Sequence, residues 1–409
     1  MKRLYIIFFA SVLLSGCMVD VNNANLYEYN LHRLNVTVSF PGEFSDASLE
    51  GIEVKFENVG DGSSYVSTTD ASGVASASVV NGLYRISAAA LADDELFNAS
   101  HEGLRVAGAD LDVAVSFVKV RTGDIVIKEI YCGGCMKTPF EGTYQSDKYV
   151  ILHNNTPEVQ YLDSLCFGTL SPYNSTAASN PWVSKDPVTG ASVFRDFAPV
   201  IQAVWQFGGD GRAFPLAPGD DAVIALCGAI DHTALYPLSV DLSNPDYFVC
   251  YNNVYFWNTD YHPSPEGIPV GHYLNVVIKT GIASAYPFSI SSPAVVIFRA
   301  EGTTIQDFIR EADSVIPTPG SSVDDVVCVP LDWIVDAVEV FDGRSSNNKK
   351  RIHPVLDAGS VSLSGTYMGR SLMRRVNVDK TSAAGYEVLV DTNNSANDFY
   401  ESEKQSLHE

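Results

Sequence analysis

Short runs in which apolar and polar side chains alternate with period two recur from residue 35 onward, and that periodicity confines the chain to half-buried strands. Asn35-Val36-Thr37-Val38-Ser39-Phe40 and Ile52-Glu53-Val54-Lys55-Phe56 show it most clearly. Ser64–Thr69 runs into the turn Asp70-Ala71-Ser72-Gly73, then come Val74–Val80, Gly82-Leu83-Tyr84-Arg85-Ile86 and a closing run over Leu111–Val120. Residues 31–120 therefore read as one small β-sandwich. Strand candidates resume at Asp124 with Ile125–Tyr131, Tyr149–Asn155 and Leu162–Leu170, followed by Ala222–Cys227, Asn275–Lys279, Ala294–Arg299 and Ile334–Phe341. Turn signals separate these runs, among them Gly208-Gly209-Asp210-Gly211, read as a hairpin turn, and Pro218-Gly219. One helix is expected, with Ile305, Phe308, Ile309 and Ala312 at helical spacing behind Thr303 or Thr304 as N-cap. The fold expected is all-β: two tandem β-sandwiches, the second over 124–400 with an insertion at about 228–272 and an acidic tail at 401–409.

At 46% apolar, 409 residues can bury a sizeable core. The net charge of −23 argues against an extended basic surface, so no nucleic-acid partner is expected. The N-terminus reads as an address. Lys2 and Arg3 precede an apolar stretch, Leu4–Leu14, which ends at Leu14-Ser15-Gly16-Cys17. This resembles a bacterial lipoprotein signal, in which residues 1–16 are removed and the Cys17 thiol carries the lipid. The apolar stretch is too short to span a bilayer. The lipid would anchor the chain to the outer membrane of the cell envelope, on its periplasmic or its outer face, with 17–30 as a tether.

Six further cysteines follow. Cys132-Gly133-Gly134-Cys135 is a C-x-x-C, but Cys166, Cys227, Cys250 and Cys328 are isolated, and a structural zinc site usually presents two such pairs. Disulfides or plain buried thiols are the expectation.

The order strand, T-D-x-x-G turn, strand, N-G-x-Y-x-I over 64–86 resembles the carboxypeptidase-regulatory, transthyretin-like module. That resemblance implies that Asp70 and Gly73 shape a hairpin and Tyr84 packs inward. The runs D-I-V-I-K-E-I-Y from Asp124 and D-K-Y-V-I-L-H-N-N-T from Asp147 look like the opening of a lamin-tail-like sandwich. P-L-A-P-G-D-D-A-V-I-A from Pro215, W-I-V-D-A-V-E-V from Trp333 and D-T-N-N-S-A-N-D-F from Asp391 continue the match in order. Leader, first module and second region together resemble a family of Bacteroidota lipoproteins known as domain of unknown function 4876. The resemblance implies an envelope lipoprotein, often encoded near TonB-dependent outer-membrane receptors.

Candidate chemistry is sparse. Asp391, Asn393 and Ser395 alternate oxygen-bearing side chains as a calcium loop does, but the sixth and twelfth positions, Ala396 and Ser402, lack the glycine and the bidentate acid such a loop needs. The reading preferred is structural, with Arg374 or Arg375 pairing Asp391 or Asp398. Residues 236–262 hold eight aromatics, of which Tyr251, Tyr255, Trp257 and Tyr261 are the candidates for a ligand or partner surface. His232, His262 and His272 match no metal-ligand spacing and read as isolated surface imidazoles. G-x-S-x-G is absent from the sequence. Asp163-Ser164-Leu165 and Asp313-Ser314-Val315 resemble the O-glycosylation acceptor of Bacteroides-type exported proteins, which would modify Ser164 and Ser314. No cofactor is expected. The function expected is a non-catalytic binding or accessory lipoprotein, partnered with an outer-membrane transporter; an envelope hydrolase and a purely structural role are the alternatives.

Overall fold

The computed structural model describes residues 31–93, 95–187 and 190–408. The leader, Cys17 and the tether lie outside them. Strand makes up 40% and helix 6% of the described residues, so the fold is all-β.

The N-terminal sandwich comprises β1 (His32–Ser39), β2 (Glu53–Asn58), β3 (Ser64–Thr68), β4 (Val74–Val79), β5 (Gly82–Ala92), β6 (Glu95–Val106), β7 (Leu111–Ser116) and β8 (Val118–Lys119). One sheet has the order β4-β1-β7 and the other β3-β2-β5-β6-β8. Alternation sends Leu34, Val36 and Val38 from the first sheet against Val54, Phe56, Ile86 and Phe97 from the second. Each large apolar side chain buried this way contributes about 1.5–3 kcal/mol relative to exposure. The turn before β4 is closed by Asp70, whose Oδ1 accepts from the amides of Ser72 at 2.8 Å and Val74 at 3.0 Å. Gly73 follows at φ +77°, where a Cβ would also meet the Val38 carbonyl. Tyr84 is buried and donates to the Val80 carbonyl. The closing run divides at Phe117, which turns into the core, so β7 joins one sheet and β8 the other.

The second sandwich contains β9 (Ile125–Tyr131), β10 (Tyr149–Asn154), β11 (Cys166–Leu170), β12 (Phe197–Gln206), β13 (Asp221–Ala225), β14 (Phe248–Val249), β15 (Asn275–Lys279) and β16 (Ala294–Phe298). It continues with β17 (Val315–Pro317), β18 (Asp325–Pro330), β19 (Ile334–Asp342), β20 (Val361–Leu363), β21 (Ser371–Arg374) and β22 (Phe399–Ser402). A six-stranded sheet has the order β14-β13-β10-β9-β21-β22. The facing sheet runs β17-β18-β12-β11-β16-β19-β20, with β15 also paired to β12. Ile127, Leu152, Phe167, Trp205, Ile297 and Val338 fill the space between them.

Both outer faces are covered as well. The insertion lays Val240, Leu242, Val249 and Ile268 over Tyr131, Tyr149 and Val223. Ile305 and Trp333 cover Val200, Val296 and Phe298 on the other side. β10 and β16 are therefore buried at every position, which is why their sequences read as unbroken runs rather than alternations.

Three expectations are corrected. First, three short α-helices, not one, occur among the described residues: α1 (Ile305–Phe308), α2 (Val378–Ala384) and α3 (Ser395–Asp398). The first has its expected cap, Thr304 accepting from the Asp307 amide, but ends before Ala312. The other two start at Asn377 and Asn394, whose side chains cap them, and neither carries an apolar stripe that periodicity could reveal. Second, Gly208–Gly211 is a loop rather than a hairpin turn. It is gathered around the Asp163 carboxylate, which accepts from the amides of Gly211, Ala213 and Phe214 at 2.8–2.9 Å. Third, 401–408 is no free tail. Glu401 and Ser402 lie in β22, Gln405 is buried and donates to the Leu238 carbonyl, and the Ser406 amide and hydroxyl both bond the buried Glu129 carboxylate. The chain end thus fastens the insertion to the six-stranded sheet.

Candidate functional site

The insertion is anchored from beneath by Asp147, a fully buried carboxylate. Its Oδ2 accepts from Tyr131 at 2.9 Å, from Ser239 at 2.7 Å and from the Cys135 thiol at 3.6 Å. His232 and His262 are buried, which corrects their reading as surface imidazoles. The His232 ring is bonded to the Tyr144 hydroxyl at 2.6 Å and the Gly228 carbonyl at 2.9 Å. His262 lies under Tyr251 with ring centroids 5.2 Å apart, and burial lowers its pKa to about 4, so it is neutral. His272 is half-buried and packs on Phe248.

The aromatic candidates divide accordingly. Tyr251 is half-buried, stacked on His262, and bonded to Ser264 at 3.0 Å, so it belongs to the floor. Phe256 is buried against Trp205, with ring centroids 5.5 Å apart. Its neighbours point the other way: Tyr255 is 45%, Trp257 67% and Tyr261 52% exposed. Val254 and Ile282 are exposed as well.

This ridge is held rigidly. Asn252 Oδ1 accepts from the amides of Val254 and Tyr255, both at 3.0 Å. Lys279 donates to the carbonyls of Tyr255 at 3.0 Å and Ala283 at 2.6 Å, and its ammonium stands 5.0 Å from the Phe256 ring centre. The Asn258 amide bonds the Ser284 carbonyl at 2.9 Å, which sets the segment carrying Ile282 beside the loop. Phe256 pins the centre of the loop in the core, and its flanking aromatics stay in water.

The calcium candidates are otherwise engaged. Asp391 accepts from Arg374 at 3.0 Å and from the Gly123 amide at 3.0 Å. Ser395 donates to Asp357, and Asn393 donates to the Arg121 carbonyl. Among the described residues no cluster of His, Cys, Asp and Glu side chains is arranged to hold a metal ion. The buried Arg374 guanidinium occupies the centre of the group instead, 2.5 Å from Asp336, 3.0 Å from Asp391 and 3.6 Å from Asp398. Burial raises Asp336 to about 7 and Asp398 to about 6 against the pull of that cation. Arg375 turns away and donates to the Asn397 carbonyl.

Ser164 is exposed, whereas Ser314 is buried and donates to the Glu311 carbonyl, which leaves its hydroxyl closed to modification in the folded chain. The six cysteines from Cys132 to Cys328 are free thiols, five of them buried. Burial pushes Cys132 up to about 12 and the half-buried Cys328 to about 11. A thiol reagent at pH 8 is therefore expected to spare the five buried positions in the native protein and to label all six after denaturation. Fast native labelling at Cys132 or Cys227, read by peptide mapping, contradicts the packing described.

Residues 217–406 match the DUF4876 family. Its description is a protein of unknown function, and the matched residues run from β13 through the insertion to the clamped chain end. A DUF4876 family protein from Bacteroides thetaiotaomicron VPI-5482, known from a crystal structure, shares this fold at TM-score 0.57. It is 24% identical, over 90% of this chain and 94% of that one. The major pilin subunit BcpA of Bacillus cereus aligns only at TM-score 0.16 and 11% identity, over 66% of this chain and 87% of its own. No curated protein matches the chain. Of the runs that carried the DUF4876 resemblance, those at Pro215, Trp333 and Asp391 fall within the matched residues or at their edge, and those at Asp124 and Asp147 precede them. Sequence reasoning missed the Asp147 anchor and the Glu129 clamp, whose partners lie 92 and 277 positions away.

Proposed function

We propose that this chain is a non-catalytic accessory lipoprotein of the cell envelope, tethered through Cys17, that docks by the Tyr255–Trp257–Tyr261 ridge onto an outer-membrane receptor. The observation that carries this is Trp257, 67% exposed on a loop whose backbone is fixed on both sides. A rigid loop loses little conformational entropy on binding, and Trp and Tyr dominate protein contact energies. Val254 and Ile282 favour a protein surface over a sugar, since aliphatic side chains offer no face for ring stacking.

The test is affinity isolation of the full-length lipidated protein from its native membrane, followed by mass spectrometry. A TonB-dependent receptor is expected with the native protein and not with the Tyr255→Ala/Trp257→Ala double variant. Both residues are exposed, so the variant is expected to keep its stability within about 1 kcal/mol. Equal recovery with both proteins, or recovery of no receptor from well-extracted material, overturns the proposal.

A further inference from the structure

A concavity lies between the two sandwiches, lined by none of the ridge residues. Its volume is about 400 Å³, enough for a small organic molecule. One wall comes from the N-terminal sandwich, the turn at Val59 and Gly60 with parts of β5 and β6. The other comes from the two-stranded ribbon Val183–Lys185 with Ser192–Phe194 and the loop over 346–350.

The charge here is opposite to that of the molecule. The whole chain has 26 basic and 49 acidic residues. The cleft is lined by Arg85, Lys185, Lys349 and Lys350 against a single carboxylate, Glu102. That carboxylate is already neutralised, bonded to Arg85 Nε at 2.6 Å, and Glu57 also stands 3.7 Å from the Arg85 guanidinium. Lys350 is buried and its ammonium is directed to the Gly359 carbonyl. Four cations thus stand against two carboxylates, and Lys185 and Lys349 are hydrogen-bonded to neither. Lys185 donates to Ser192 at 2.8 Å, which occupies one of three ammonium protons. Lys349 donates to the Ala177 carbonyl at 2.7 Å and to Asn347 at 3.3 Å. These three acceptors are neutral, and the carboxylate that acts on Lys185, Glu102, is already shared with Arg85. A concave, low-dielectric wall concentrates the field of such charges and raises the local concentration of anions.

We propose that this cleft binds a small organic anion, its carboxylate or phosphate held by Lys185 and Lys349 and its apolar body by Val59, Leu83, Val183 and Phe194. The site is independent of the ridge, and neither stands or falls with the other. Because its walls come from both sandwiches, a bound anion joins them.

Calorimetric titration of the full chain with three probes that share a phenyl ring tests this. Phenyl phosphate and phenylacetate are expected to bind saturably and to weaken as salt rises, and the tighter of the two identifies the head group. Neutral 2-phenylethanol is expected to bind at least tenfold more weakly. Lys185→Met is expected to weaken the anions tenfold or more, and Lys185→Arg to retain them. Gly103→Ala supplies a second perturbation, because a Cβ there would run into the Lys185 ammonium from the facing wall. Melting curves establish that each variant is folded. Equal binding of the neutral probe, undiminished binding in a folded Lys185→Met protein, or failure of both anions to saturate overturns the proposal.

Discussion

Replacing Arg374 by methionine is expected to lower stability by about 3–5 kcal/mol at pH 8 and by clearly less at pH 5. Among the described residues the guanidinium is the cation placed between Asp336, Asp391 and Asp398, whose side chains are all buried. It also donates to the backbone carbonyls of Ile127 at 2.8 Å and Val390 at 3.2 Å, which ties β9 to the segment before α3. Without it, buried carboxylates lose their counter-charge, and ionised carboxylates in that setting are costly.

The pH dependence follows from the direction of the shifts. Asp336 and Asp398 titrate near 7 and 6 in the folded protein, above the unfolded carboxylate at about 3.9. The folded state therefore holds more protons than the unfolded chain between about pH 4 and 7. The contribution of these two groups is complete below the unfolded pKa and is lost as pH rises through the folded values. Removing Arg374 moves both pKa values further up, so at pH 5 the acids are neutral and the missing cation matters less. Urea unfolding of the variant at the two pH values gives the comparison. An equal loss at both, or a loss under about 1 kcal/mol, refutes the account.

Arg351→Met is expected to cost a similar amount, about 3–5 kcal/mol. Arg351 and Glu339 are both fully buried as side chains, joined at 2.6 and 2.8 Å, and Glu339 also accepts the amides of Arg351 and Ile352. Arg351 reaches on to the carbonyls of Ser292 at 2.8 Å and Val340 at 2.9 Å. The loss has two parts, an orphaned carboxylate and unpaired carbonyls. Adding Glu339→Gln removes the stranded charge, so the double variant is expected to be more stable than Arg351→Met alone. If the double variant is instead the less stable, the stranded charge is not what the single substitution costs.

Where side-chain periodicity was decisive, the fold could be read from the chain. Leu34, Val36 and Val38 announce a strand, Asp70 and Gly73 announce its turn, and Tyr84 packs inward. For Asp391 and Asp398 the chain offers two arginines, Arg374 and Arg375, and only packing selects Arg374 and sets it against both acids. What stayed hidden depends on partners far off in sequence. His232 and His262 look like surface imidazoles until the sheet is placed beneath the insertion, because nothing local tells a buried neutral ring from a solvated one. Glu401 to His408 look like a polar tail, yet Glu129 waits more than 270 positions earlier. The aromatic segment is ambiguous for the same reason. Phe256 and Trp257 are adjacent and similar, and only tertiary packing sends one to the core and the other to water. The cleft was invisible because Arg85, Lys185 and Lys349 belong to three separate stretches of chain.

The first and last long strands of the N-terminal sandwich run side by side in the same direction, Leu34 opposite Leu111 through Ser39 opposite Ser116. β1 is entered from the chain that precedes His32, and β7 leads through β8 toward the second sandwich. A pull between those two points draws the parallel pair past one another along their length. The cross-strand hydrogen bonds then share the load and must yield together, whereas an antiparallel hairpin pulled at its open end peels one bond at a time. Resistance to force is governed by how fast the structure opens rather than by its equilibrium stability. The same pairing that closes the sandwich therefore makes it resistant to a pull between the chain before His32 and the chain after Lys119.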